Sequence, residues 1–297
     1  MRLPSSPFAA RLAQAVTTVG TPLCVGIDPW PDRLPGARAG DTREALAAHA
    51  AAFGHAVVNA VAGQVASVKP QFAFFEQLGP PGMAALAEVC AAATAAGLIV
   101  VGDAKRGDIG STATAYAAAT LAPDAPFPCD ALTVSPFLGP DTLEPFLTAA
   151  DAALGGLFVL LRTSNPGSAR WQAPVADDLA GWLTEAGAAR QGADGLSNVG
   201  AVVGATHAGA LATMRSKLPH AWLLVPGFGA QGGTARDVAP AARPDGLGAL
   251  IVSARGATFP AAYDAAYDTD PTTWIRARVA GIVAELRAEW PRLGSAQ

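Results

Sequence analysis

Charged side chains stand at the ends of short apolar runs in this sequence. Asp28 closes one run, Lys69 a second, Asp103 and Lys105 a third, and Arg255 a fourth. Residues two apart on a strand share a face, so Asp103 and Lys105 are expected to project together, with Asp108 following as the chain turns toward a helix. Only 15% of the residues are charged, and charges at the edge of an apolar core must be paired. Carboxylates alternating with ammonium groups at one mouth suit electrostatic or proton-transfer chemistry. The competing reading is a structural ion-pair cluster that closes the mouth.

A second group is glycine-rich. Val225-Pro-Gly-Phe-Gly-Ala-Gln-Gly-Gly233 follows one apolar run, and Ser253-Ala-Arg-Gly256 follows the next. Backbone N–H groups exposed by glycine, with Gln231 and Arg255 nearby, suit a phosphate group. Glycine alone is weak evidence, since it also serves any turn with positive φ. The third group, Leu161-Arg-Thr-Ser-Asn-Pro-Gly167, could hydrogen-bond a heterocycle edge, although Asn-Pro-Gly is also ordinary turn chemistry.

These groups need elements to position them. Apolar, β-branched runs bounded by Gly, Pro or polar residues predict strands at Thr21–Asp28, Val65–Gln71, Leu98–Lys105, Ala131–Phe137, Leu157–Ser164, Val199–Thr206, Trp222–Gly229 and Leu247–Arg255. Helical stripes lie between and after them, including Val175, Leu179, Trp182, Leu183 and Ala186, and Ile275, Val279, Ile282, Leu286 and Trp290. The alternation predicts an α/β fold, a single (β/α)8 TIM-type barrel with eight parallel strands, spanning 1–297 as one domain. Barrel sites sit at the C-terminal strand ends, where the charges above fall. A doubly wound open sheet is the alternative, but no Gly-x-Gly-x-x-Gly follows the first strand. Pro29–Gly40 and Ala257–Asp270 read as long loops on the site face, and the tail Pro291–Gln297 as frayed.

Hydrophobic residues make up 51% of the 297, which excludes a disordered chain. A net charge of −4 argues against a nucleic-acid or polybasic membrane surface. Ala45–Val68 carries no formal charge but holds His49, His55, Asn59 and Gln64, so it reads as a buried amphipathic helix and not a membrane span. Cys24, Cys90 and Cys129 with four histidines show neither a disulfide framework nor zinc spacing. Pro4, Pro7 and Arg11 interrupt any signal-peptide apolar region, and a reducing cytoplasm is the expected location.

Asp103-Ala-Lys105-Arg-Gly-Asp108 resembles the Asp-x-Lys-x-x-Asp motif of the orotidine 5′-monophosphate decarboxylase family. The resemblance extends through Cys24-Val-Gly-Ile-Asp-Pro29, Val68-Lys-Pro-Gln-Phe-Ala-Phe-Phe-Glu76, the Thr-Ser-Asn-Pro-Gly loop, the glycine-rich loop and Ser-Ala-Arg-Gly, in order along all eight units. The longer motif forms look like the bacterial type 2 branch. Hexulose-phosphate synthase and keto-gulonate-phosphate decarboxylase, which use magnesium, share Asp-x-Lys-x-x-Asp. Lys69 discriminates, because those relatives resemble one another in an acidic residue there.

The resemblance implies cofactor-free and metal-free decarboxylation of orotidine 5′-monophosphate to UMP, the last step of de novo UMP synthesis. It implies Lys105 as the cation that stabilises and protonates a C6 carbanion, with Asp103 beside the departing carboxylate. Lys69 would orient Asp103 and the ribose, and Asp28 would accept a ribose hydroxyl. Ser164 would hold the pyrimidine edge, Gln231 would bridge base and phosphate, and Arg255, Gly256 and the glycine loop with Gly232 would hold the phosphate. Pro226 would also line the substrate. Asp108 would reach the partner's site in a homodimer, where Ile109 and Thr112 complete the pocket or are ordinary helix-start residues. A magnesium-dependent sugar-phosphate enzyme and a catalytically silent nucleotide-binding barrel are the alternatives.

Overall fold

The structure, a computed structural model, describes residues 6–205, 209–229, 233–291 and 293. Eight strands form it: β1 Leu23–Ile27, β2 Ser67–Pro70, β3 Ile99–Arg106, β4 Ala131–Val134, β5 Gly156–Arg162, β6 Ser197–Val203, β7 Ala221–Pro226 and β8 Ala249–Ser253. They pair in sequence order, and β8 returns to β1 to close a barrel. Every pairing is parallel, with Leu23 opposite Ile251 at the closure. This is the (β/α)8 barrel that the alternation of apolar runs predicts.

The first helices are α1 Phe8–Val19, α2 Arg43–Val61, α3 Phe72–Glu76, α4 Pro80–Ala95, α5 Gly110–Leu121 and α6 Glu144–Ala153. After β5 come α7 Ser168–Gln172 and α8 Ala176–Ala188, and after β6 comes α9 Ala210–Lys217. The last are α10 Ala235–Val238, α11 Arg255–Thr258, α12 Ala265–Thr269 and α13 Pro271–Glu289. Local chemistry starts several of them. Thr42 caps α2 by accepting from the Ala45 N–H, and Asp270 caps α13 by accepting from the Thr273 N–H.

The interior changes character along the strands. Near their N-terminal ends the inward positions are apolar, with Ala131, Phe158, Trp222 and Leu250 packed on Phe8, Leu12 and Val16 of α1. Phe8 meets Phe158 edge to face at 5.9 Å, and each such buried apolar side chain contributes about 1.5–3 kcal/mol. Helix α1 therefore packs on the apolar end of the barrel, and the sequence reading had no element there. Toward the C-terminal ends the same inward rows become Lys69, Asp103 and Thr133.

Several boundaries differ from expectation. The helix expected over Ala45–Val68 ends at Val61, and a turn through Gly63 at φ +77° sends the chain into β2. Val175 is half-exposed and precedes α8; Ala176, Ala180, Leu183 and Gly187 form the buried stripe instead. The stripe of α13 is as expected, and Val283 joins it. The strand end expected at Arg255 comes at Ser253, and Arg255 opens α11. The expected loops carry short helices, a 3-10 turn at Pro31–Arg33 and α12 at Ala265–Thr269. No helix among the described residues is long and apolar enough to cross a membrane. Most of the tail expected to fray lies outside the described residues.

Candidate active site

A cavity of about 530 Å³ opens at the C-terminal mouth, floored by Val202, Leu224 and Val252 of the inner core. Asp103 stands at its centre and is only 6% exposed, so its charge must be compensated within the protein. Four hydrogen bonds do this. Lys69 Nζ and Gln71 Nε2 donate to Oδ2 at 2.7 and 2.8 Å; Lys105 Nζ and the Thr133 hydroxyl donate to Oδ1 at 2.6 and 2.9 Å. Burial opposes the ionised form, but the two ammonium charges and their bonds outweigh it and hold the carboxyl far below the usual range. Burial likewise opposes the Lys69 ammonium, and Asp103 with Asp28 overcomes it, raising Lys69 above its ordinary value.

Lys105 reaches Asp103 by an unexpected route. Simple alternation would place the two on one face, but Lys105 adopts φ +48°, and the β3–β4 register breaks between Gly102 and Arg106. A left-handed lysine costs about 1–3 kcal/mol and persists only where its surroundings enforce it. Thr133 supplies the enforcement. Its hydroxyl accepts from the N–H groups of Ala104 and Lys105 at 3.1 and 2.9 Å while donating to Asp103. The Lys105 side chain remains 45% exposed, reachable from the cavity that it lines.

Asp28, just past β1, faces the same charges. Burial pushes its carboxyl above the ordinary range, and Oδ1 is buried with no hydrogen-bond partner among the described residues. Such an oxygen invites a donor from a ligand. Trp30 packs on Phe74 at 4.8 Å and lies 6.0 Å from the Arg255 guanidinium on the cavity wall.

Two loops complete the wall. After β5, Thr163, Ser164 and Asn165 line the cavity, and Gln172 of α7 braces them by accepting from the Thr163 N–H at 2.7 Å. Gly204 lets this loop lie against β6, since a Cβ there would come within 2.8 Å of the Ser164 backbone. After β7, Pro226, Gly227 and Phe228 line the cavity, with Gly227 at φ +106°. The loop then closes on itself, the Gly229 N–H donating to the Gly233 carbonyl at 2.9 Å. Its tip contains Gln231 and Gly232, which lie outside the described residues.

The family profile of orotidine 5′-phosphate decarboxylase / HUMPS matches residues 21–261. The chain belongs to this family. It is 48% identical over 266 residues to an orotidine 5′-phosphate decarboxylase of Rhodopirellula baltica, covering 85% of this chain and 88% of that one. It is 45% identical over 254 residues to the enzyme of that name from Deinococcus radiodurans, covering 85% and 89%. A solved structure from Streptomyces avermitilis superposes with a TM-score of 0.82 at 38% identity, covering 96% of both chains.

For a member of this family, the fold brings together Asp28, Lys69, Asp103, Lys105, Ser164, Pro226 and Arg255 around one cavity. Gly256 lies beside it, in the wall of an adjoining cavity that shares Arg255 and Phe228. Asp108, Ile109 and Thr112 do not line this chain's cavity. Asp108 accepts from the Ile109 N–H at 2.8 Å at the start of α5, and Ile109 is 63% exposed. Sequence reasoning missed Thr133, Gln71 and Trp30. Gln71 lies two residues after Lys69 and bridges to Asp103, a signal that alternation could have supplied. Thr133 is a single polar residue within the apolar run of β4 and carries no comparable signal. Among the described residues, no three His, Cys, Asp or Glu side chains are grouped to hold a metal ion.

Proposed function

We propose that this protein decarboxylates orotidine 5′-monophosphate to UMP and carbon dioxide in pyrimidine biosynthesis, without a metal or organic cofactor. The observation that carries this reading is the buried Lys69–Asp103–Lys105 array beside an open cavity. The Arg255 guanidinium and the start of the glycine-rich loop, Gly227 and Phe228, line the same cavity and suit a phosphate. The magnesium-using relatives of this motif resemble one another in an acidic residue where this chain has Lys69, an ammonium that repels a cation.

In the reaction, the C6–carboxylate bond breaks and its electron pair stays on C6. Lys105 Nζ stabilises that carbanion and transfers a proton to it, and solvent restores the ammonium. Asp103, fixed by four donors, stands beside the departing carboxylate and holds Lys105 in place. Lys69 orients Asp103 and the ribose. The unpartnered Asp28 Oδ1 accepts a ribose hydroxyl. Ser164 faces the base and Pro226 lines the substrate, Gln231 bridges base and phosphate, and Gly232, Arg255 and Gly256 hold the phosphate, whose binding energy can be used to lower the barrier.

The protein acts as a homodimer, in the cytoplasm, with the whole chain as one domain of the type 2 branch and no nucleic-acid partner. Exposed Ile109, Phe137 and Leu138 support the dimer, since the β3–α5 and β4–α6 connections carrying them lie side by side, with the Ser135 N–H donating to the Arg106 carbonyl. Asp108, beside Ile109, would then enter the partner's site together with Thr112. The test follows the loss of orotidine 5′-monophosphate absorbance and the appearance of UMP, before and after dialysis against a strong chelator. Equal rates are expected. Activity that vanishes with the chelator and returns with magnesium would refute the metal-free reading.

A further inference from the structure

Beyond Arg255 lies a second cavity of about 610 Å³, of whose lining the decarboxylation described above uses only Arg255 and Gly256. Arg255 and Phe228 line both spaces, so the two cavities adjoin at the residue proposed to hold the phosphate. Arg33 and Arg278 stand on its other walls. Among the described residues none of these three arginines has a carboxylate within ion-pair distance, whereas Arg11, Arg106, Arg190 and Arg243 each have one. Glu285 is the one acidic residue in the lining, leaving the cavity's charge positive in a chain of net charge −4.

The arginines are held in place by groups that leave their charge unneutralised. Arg33 lies over the Phe259 ring at 4.8 Å and donates to the Pro260 carbonyl; Arg278 Nε donates to the Gly256 carbonyl at 2.8 Å. A further feature points to a ligand. Ser253, 1% exposed at the end of β8, lines this cavity, and its buried hydroxyl oxygen has no hydrogen-bond partner among the described residues. An unmet hydroxyl among unpaired guanidinium groups matches the acceptor oxygens of a phosphate.

We propose that this cavity holds the β-phosphate of a nucleoside 5′-diphosphate whose base and ribose occupy the main cavity and whose α-phosphate sits at Arg255. The proposal rests on the phosphate placement given under the proposed function. It adds a ligand class: the diphosphate of the product nucleoside, made wherever UMP is phosphorylated, competes with substrate for the same site. The decarboxylation described above gives no role to Arg33 or Arg278.

Calorimetric titration of wild type, Arg278→Gln and Arg33→Gln with UMP and with UDP, at one ionic strength, tests it. The measured quantity is the affinity for UDP relative to UMP. Losing one charged contact to the β-phosphate should lower that ratio about tenfold in either variant while UMP affinity changes less than about twofold. Arg276→Gln removes the same charge two residues away on α13, outside the lining, and should leave the ratio unchanged. A ratio that falls less than about threefold in both cavity variants overturns the proposal, and so does an equal fall in Arg276→Gln, which would mark a general field effect. If neither uridine nucleotide binds wild type, the functional reading fails. The affinity for inorganic pyrophosphate relative to orthophosphate then decides the subsite by the same thresholds.

Discussion

Thr133 donates its hydroxyl to Asp103 Oδ1 at 2.9 Å and accepts the N–H of Lys105 at 2.9 Å, coupling the backbone of one site residue to the carboxylate of another. A neutral side chain on β4 thereby maintains both the left-handed turn at Lys105 and one of the four bonds that hold the Asp103 carboxylate in place.

Replacing Thr133 by Val keeps the shape and removes the hydroxyl. The part-buried N–H groups of Ala104 and Lys105 would lose their acceptor, a loss worth about 0.5–1.5 kcal/mol for each bond. Turnover should drop by about tenfold to a hundredfold as the Lys105 ammonium loses its placement, with KM little changed because the phosphate contacts lie elsewhere. Thr133→Ser should restore most of kcat. A purely structural role would lower thermal stability in Thr133→Val without this kcat-against-KM split.

Asp28 gives a prediction of opposite sign for stability and binding. Its carboxyl is raised in the folded protein, chiefly by burial, so its neutral form is favoured there. A raised group contributes stability that is complete below its unfolded pKa and is lost as pH rises through the folded value. Ionising this buried oxygen, which has no partner among the described residues, therefore costs stability as pH rises. Asp28→Asn should raise the Tm of the ligand-free protein by a few degrees at pH 7. The gain should shrink to nothing as pH falls below about 4, the ordinary Asp value. The same variant should bind UMP more weakly, having lost the acceptor for a ribose hydroxyl. Thermal melts from pH 3 to 8, with and without UMP, check both signs; a Tm that falls at pH 7 would contradict the burial argument.

Lys105 and Arg255 should separate chemistry from binding. Lys105→Ala removes the proposed proton donor and cation, so kcat should fall by at least about a thousandfold while UMP affinity stays within a few-fold. Arg255→Ala removes a proposed phosphate contact made in every bound state, so KM and UMP affinity should suffer by about tenfold to a hundredfold. Steady-state kinetics beside UMP titrations distinguish the two patterns. Near-normal turnover in Lys105→Ala would remove it from the chemistry.

The barrel was legible because each strand announces itself as a short apolar run, and because Asp28, Lys69 and Asp103 end or nearly end theirs. Those charges could be placed at one mouth from alternation alone. What alternation cannot show is a break in itself. The positive φ of Lys105 depends on Thr133, a residue from another strand with nothing unusual in its local sequence. Helix α1 was missed although Phe8, Leu12 and Val16 stand at helical spacing, because the strand pattern begins after it. The overlong helix at Ala45–Val68 arose because the apolar composition of α2 continues into β2, and only the turn at Gly63 separates them. Arg255 was legible as a site residue but not as the opening of a helix, since one turn of four residues has no periodicity to read.

The last prediction concerns Asp108, which lies outside this chain's cavity while Lys105 lies within it. If each site combines Lys105 of one subunit with Asp108 of the other across a two-fold axis, Lys105→Ala and Asp108→Ala homodimers should both be severely impaired. Unfolding the two variants together and refolding them in equal amounts should make about half the dimers mixed. One site of a mixed dimer then carries both lesions, and the other carries neither. Activity should return to about a quarter of the wild-type value if mixing is random and sites act independently. An arrangement within one chain cannot recover in this way, because every site would keep one of the two lesions. Native mass spectrometry verifies the mixed dimers. With those present, an absence of recovery would return Asp108 to its own subunit's surface and end the shared-site reading.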